Sequence, residues 1–246
     1  MAMSVWGKLG GFGVGFLIGG PLGALIGAVI GHVLVDREGA LFREGALFGP
    51  TPKDVVFTTG LVALAAKMAK ADGVVMRSER DAFRRIVEVD EADRARVEAL
   101  FDLASRTPDG YDSYARQMRE LLADEPALLE DVLDGLFLIA AADGAVHERE
   151  FAFLGEVARI FGFDAARFER VAARHLALKD DPYAVLGATR EMDDAALKAQ
   201  WRQLVAEIHP DRAVARGLPP EAIAIATRRL AAVNAAWDRI ARERGL

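Results

Sequence analysis

The chain has 246 residues, 52% hydrophobic and 28% charged, enough apolar surface to build a sizeable core and too much for a disordered chain. With no cysteine, it excludes disulfide frameworks, thiolate metal sites and cysteine nucleophiles. A net charge of -6 argues against a surface made to grip phosphate backbones, so nucleic acid is not an expected partner. The charge is uneven: residues 1–49 sum to 0, residues 50–180 to -7 and residues 181–246 to +1. The chain thus reads as an apolar head, an acidic middle and a slightly basic tail.

The head comes first. Between Lys8 and Asp36 there is no formal charge over 27 residues, about 40 Å as a helix, which is enough to cross a bilayer core of about 30 Å with tilt. The apolar stretch runs on through Ile26, Val29, Ile30, Val33 and Val35, longer than the core of a cleaved signal peptide, so retention is expected. Residues 1–35 are therefore expected to form a single transmembrane helix seated in lipid. Gly7, Gly11, Gly15, Gly19, Gly23, Gly27 and Gly31 fall at every fourth position, a ridge that lets two backbones approach closely, and this predicts a homodimer through the span. A hairpin broken at Gly19-Gly20-Pro21 is the alternative, but each half would be too short to cross. Lys8 on one side and Arg37 and Arg43 on the other leave only a weak orientation bias toward a cytoplasmic C-terminal side. Residues 36–53 contain a duplicated Arg-Glu-Gly-Ala-Leu-Phe hexapeptide and then Gly49-Pro50-Thr51-Pro52, which marks a linker.

In the middle, apolar residues recur at helical spacing over 55–71 and 128–142, without the alternation of strands. The fold class is all-α. Ala71-Asp72-Gly73-Val74-Val75 with Glu79 recurs as Ala142-Asp143-Gly144-Ala145-Val146 with Glu150, an internal repeat of helix, Asp-Gly turn and helix. Asp72, Glu79, Asp143 and Glu150 are candidates to hold a hard cation such as calcium. The preferred reading is that each Gly takes a left-handed cap position and each Glu, third in the following helix, reaches back to a capping N–H. No metal or cofactor is expected. Phe83, Phe137, Phe151, Phe153 and Phe161 are expected in the core. These paired turns resemble the tellurite-resistance TerB-like helical domain, over about residues 54–175.

The tail carries the readable chemistry. Asp181-Pro182 predicts the start of a short helix that Gly187 ends, and Asp193 caps a longer one. Leu197, Trp201, Leu204 and Ile208 make one buried face of that helix, beside a basic stripe of Lys198 and Arg202. Pro210 stops the helix, so His209-Pro210-Asp211 opens an exposed loop. Pro219-Pro220 begins a last helix, in which Ile223, Ala226, Leu230, Val233, Trp237 and Ile240 predict antiparallel pairing with the first.

Two amphipathic helices bracketing His-Pro-Asp resemble the J-domain of DnaJ co-chaperones, over residues 181–246. The order of glycine-rich span, TerB-like domain and C-terminal J-domain resembles the DjlA-type membrane-anchored co-chaperones. The resemblance implies a protein of the bacterial inner membrane, single-pass, with its C-terminal domains in the cytoplasm. It implies that the tail binds a DnaK-class chaperone and stimulates its ATPase, with His209, Pro210 and Asp211 essential and Lys198 and Arg202 orienting the complex. Gln203 and Glu207 stand where many J-domains carry Lys or Arg, so the stripe is thinner here. An enzyme acting through His209 and Asp211 lacks any nucleophile elbow or phosphate loop to complete it, so no catalytic residue is assigned. The alternative function is a membrane-anchored scaffold whose TerB-like domain binds ions or a partner.

Overall fold

The computed structural model describes residues 20–24, 53–71, 73, 75–87, 91–176, 181–215 and 217–246. Helix α1 (Lys53–Ala69) is central because it is apolar nearly all round: Phe57, Leu61, Leu64, Ala65 and Met68 are all fully buried. Around it pack α3 (Glu91–Ala104), α4 (Tyr111–Leu121) and α5 (Pro126–Ala140), with α2 (Arg77–Ile86), α6 (Glu148–Phe161) and α7 (Ala165–His175) against α5. Gly60 permits the close approach of α4, since a Cβ there would lie 2.2 Å from Met118 Sδ. Lys67 is buried in this core, and its ammonium donates to the carbonyl oxygens of Thr107 and Asp109 at 3.1 and 2.6 Å, which tie down the chain after α3. Burial pushes its pKa down. No strand occurs among the described residues.

The tail forms a second apolar cluster. Helix α8 (Pro182–Leu186) starts on the Asp181 carboxylate, which accepts from the Tyr183 N–H at 3.1 Å, and ends at Gly187 in the left-handed region, φ 61°. Helix α9 (Asp194–Ile208) is capped by Asp193, and α11 (Pro220–Arg244) lies against it, with the six-residue α10 (Pro210–Ala215) between them. Leu197, Leu204, Ile208, Val233 and Ile240 are buried at the seam. Trp201 stacks on Trp237 at 4.9 Å, and its indole N–H donates to Asn234 Oδ1 at 3.1 Å. The far end is closed by Arg244, which donates to Tyr183 Oη, Asp194 Oδ1 and the Met192 carbonyl.

Three details differ from the sequence reading. Phe151 is 39% exposed and packs on Phe168, at the rim of the core and not inside it. The His-Pro-Asp tripeptide leads directly into α10, because Pro210 is pre-set for the first turn of a helix even as it ends the preceding one. Helix α11 also buries a second face, through Glu221, Ala222, Ile225 and Arg229.

Of the expected span, Gly20 to Ala24 are described: a helical turn whose Leu22 is buried, with its N–H donating to Gln117 Oε1 at 2.9 Å. Gly23 lies in this turn, while Gly7, Gly11, Gly15, Gly19, Gly27 and Gly31 lie outside the described residues. Among the described residues no helix is long and apolar enough to cross a membrane.

Candidate functional site

The site is assembled at the corner where α9 stops. His209 leaves the helical region with φ -61° and ψ 127°, the extended geometry that a following proline imposes. The Asp211 N–H donates to His209 Nδ1 at 3.3 Å, which fixes the ring against the start of α10. Asp211 Oδ2 lies 3.5 Å from the same Nδ1. Both side chains are accessible, His209 at 45% and Asp211 at 88%, so the corner offers an imidazole and a carboxylate to a partner. Arg212 folds back, donating to the Ala206 carbonyl at 3.1 Å, and so pins α10 to the open C-terminal turn of α9.

Lys198 and Arg202 are exposed on α9, one helical turn apart, and neither forms an ion pair with the described residues. The sequence-derived site residues thus fall on one helix and the corner that ends it. Gln203 and Glu207 are also exposed but satisfy each other at 2.9 Å. Val214, 59% exposed on α10, is an apolar neighbour that the sequence reading passed over, because one valine in a six-residue helix gives no periodic signal.

The acidic repeat folds as paired caps. Gly73 and Gly144 take φ 103° and 105°, and the Met76 and His147 N–H groups donate to Glu79 and Glu150 at 2.6 and 2.9 Å. Glu79 and Glu150 do converge, close enough for Glu79 to act on the Glu150 carboxyl. Burial raises Glu150 above the ordinary carboxyl range, while the His147 N–H and Glu79 pull it back down. Asp143 instead accepts from Ala145 N–H and pairs with His147 at 3.1 Å, and Asp72 lies outside the described residues. Among the described residues no cluster of three or more ligand-type side chains forms a metal site.

Comparison with known proteins places these features. Residues 58–173 match the family model described as "Tellurite resistance protein TerB", and residues 3–51 match that of "Co-chaperone DjlA transmembrane domain". A relative from Shewanella oneidensis named "Co-chaperone protein DjlA" is 31% identical over 99% of this chain and 100% of its own. The chain belongs to the DjlA co-chaperone family. Two further DjlA relatives, from Coxiella burnetii and Photobacterium profundum, are 29% and 28% identical over at least 98% of both chains. No solved structure matches. As a DjlA-family member the chain is a membrane-anchored co-chaperone, with its TerB-type helices between the anchor and the hairpin.

Proposed function

We propose that residues 181–246 act as a J-domain that docks on a DnaK-class chaperone and stimulates its ATP hydrolysis. His209, Pro210 and Asp211 are the decisive contacts, and Lys198 and Arg202 steer the approach. The observation that carries this reading is the corner itself, an accessible imidazole and carboxylate at the end of the helix that carries two exposed cations without an ion-pair partner among the described residues. An acidic chaperone surface would be drawn to the stripe from a distance, while the corner fixes register at contact. The protein supplies no chemistry of its own in this scheme; hydrolysis stays with the partner. Residues 54–175 would be the TerB-like body, residues 36–53 its linker and residues 1–35 a single-pass anchor, dimerised along the glycine ridge, with the body and hairpin on the cytoplasmic side where ATP is available.

The test is chaperone ATP turnover with the full chain in lipid nanodiscs. Stimulation that is lost in His209→Gln, with helicity unchanged, supports the assignment. A variant as active as the parent sinks it and leaves the scaffold reading.

A further inference from the structure

The face of α11 turned away from the hairpin is inserted into the helical body. Helix α11 is 25 residues long and belongs to both cores: Ala222 and Ile225 join the cluster around α1, while Val233, Ala236 and Ile240 join the hairpin cluster. Close approach is allowed by Gly135 of α5, where an added Cβ would lie 2.8 Å from Ile225 Cδ1. A second point of contact lies nearby, where Arg170 of α7 covers Gly187 at the end of α8.

Between these apolar contacts lies a buried charge network. Glu130, Asp131 and Asp134 project from one side of α5 and are 1%, 8% and 2% exposed. Arg174 of α7 grips Asp134 at 2.7 and 3.0 Å and reaches Glu130 at 3.0 Å, and Arg167 holds the other Glu130 oxygen at 2.7 Å. His175 adds a bond to Asp134 at 2.6 Å. The hairpin contributes Arg229, whose two terminal nitrogens donate to Glu130 at 2.6 Å and Asp131 at 2.9 Å. Three guanidinium groups therefore meet three buried carboxylates, with Arg174 and Arg229 buried and Arg167 at the solvent edge. An apolar seam alone tolerates sliding and repacking. A planar fork held by two specific carboxylates has one register, so such networks select orientation more than they add stability.

We propose that Arg229 is a positioning residue: it locks the hairpin onto the helical body as one rigid unit, and this fixed presentation of His209 lowers the concentration at which the chaperone is engaged. The inference rests on the J-domain reading above. Preorganisation removes an ordering cost that a tethered hairpin would meet at each encounter.

The experiment uses the full chain in nanodiscs with the cysteine-free background turned to advantage. Glu120→Cys and Ala195→Cys, both exposed, carry spin labels on the body and on α9. A single narrow distance distribution is expected for the parent, and a broad one for Arg229→Met. In the ATPase titration Arg229→Met should raise the half-saturating concentration about five-fold while keeping maximal stimulation, and Arg229→Lys should recover part of the loss. Ile225→Ala, which trims the apolar contact without touching charge, should shift both readouts in the same direction and covers the case in which Arg229→Met fails to fold. A distribution that stays narrow in the variants, or broadening with no change in half-saturation, overturns the proposal. His209→Gln should keep the narrow distribution and lose stimulation. If it keeps stimulation, the J-domain reading itself has failed, and the two failures are thereby distinguished.

Discussion

Asp131→Asn should make the protein more stable, and increasingly so as pH rises. Asp131 is buried, and burial pushes its carboxyl from the ordinary 3.8 up to about 7, with Arg229 pulling the other way. A carboxyl whose folded pKa is raised binds more protons in the native state than in the unfolded chain. Its contribution is therefore least adverse below pH 4 and grows unfavourable as pH climbs toward 7. The gap between 3.8 and about 7 corresponds to at most about 4 kcal/mol. Relaxation around buried charges reduces such figures, so a gain of about 1–3 kcal/mol at pH 8 is expected, falling by half or more at pH 5. The asparagine oxygen can still accept from Arg229. Asp134 is held low, its burial outweighed by Arg174, His175 and Arg229, so it runs the opposite way, losing stability as pH falls below the usual carboxylate range. Being present in both proteins, it cancels in the difference. The assay is urea unfolding of the full chain in detergent micelles, followed by circular dichroism from pH 4.5 to 8.5. A variant less stable than the parent at pH 8, or a difference flat across that range, would refute the reasoning and show Asp131 to be an ionised partner that Arg229 requires.

Other outcomes follow from single contacts. Gly60→Ala drives a methyl into Met118, so the net cost should be about 1–2 kcal/mol after the gain in helix propensity, read as a lower Tm and largely restored by Met118→Ala. Lys198→Glu with Arg202→Glu should reduce the apparent association rate with the chaperone at least ten-fold at low salt, while maximal stimulation at saturation changes little; equal losses at low and high salt would refute steering. Glu150→Gln leaves its hydrogen bonds to His147 N–H and Glu79 possible, so it should change stability by less than about 1 kcal/mol at neutral pH and leave thermal stability insensitive to added calcium. A calcium-dependent rise in Tm in the parent that the variant lacks would restore the cation reading. Gly19→Leu should weaken self-association in bilayers several-fold by crystallisation-free methods such as energy transfer, without altering stimulation of the chaperone; an unchanged dimer signal removes the glycine ridge.

Local rules written into the chain settled much of this protein before any packing was known. Asp181, Asp193, Gly187 and the paired Gly–Glu turns each act within four residues of where they stand, so their hydrogen bonds could be named from spacing alone. The seam of α9 with α11 was legible for the same reason, since residues three and four apart share a helix face. The exposure of His209 and Asp211 needed only the proline between them, though that same proline starts a helix where a loop was expected. What the tertiary structure alone decided was the second face of α11, the convergence of Glu79 with Glu150, and the company kept by Arg229. Glu221, Ile225 and Arg229 recur at helical spacing too, yet in sequence they look like an ordinary solvated edge beside the main stripe. Their partners lie on α1 and α5, about 90 to 160 residues away. A charged side chain belongs at the surface unless a distant opposite charge is delivered to it, and only the folded chain shows which charges have been so delivered.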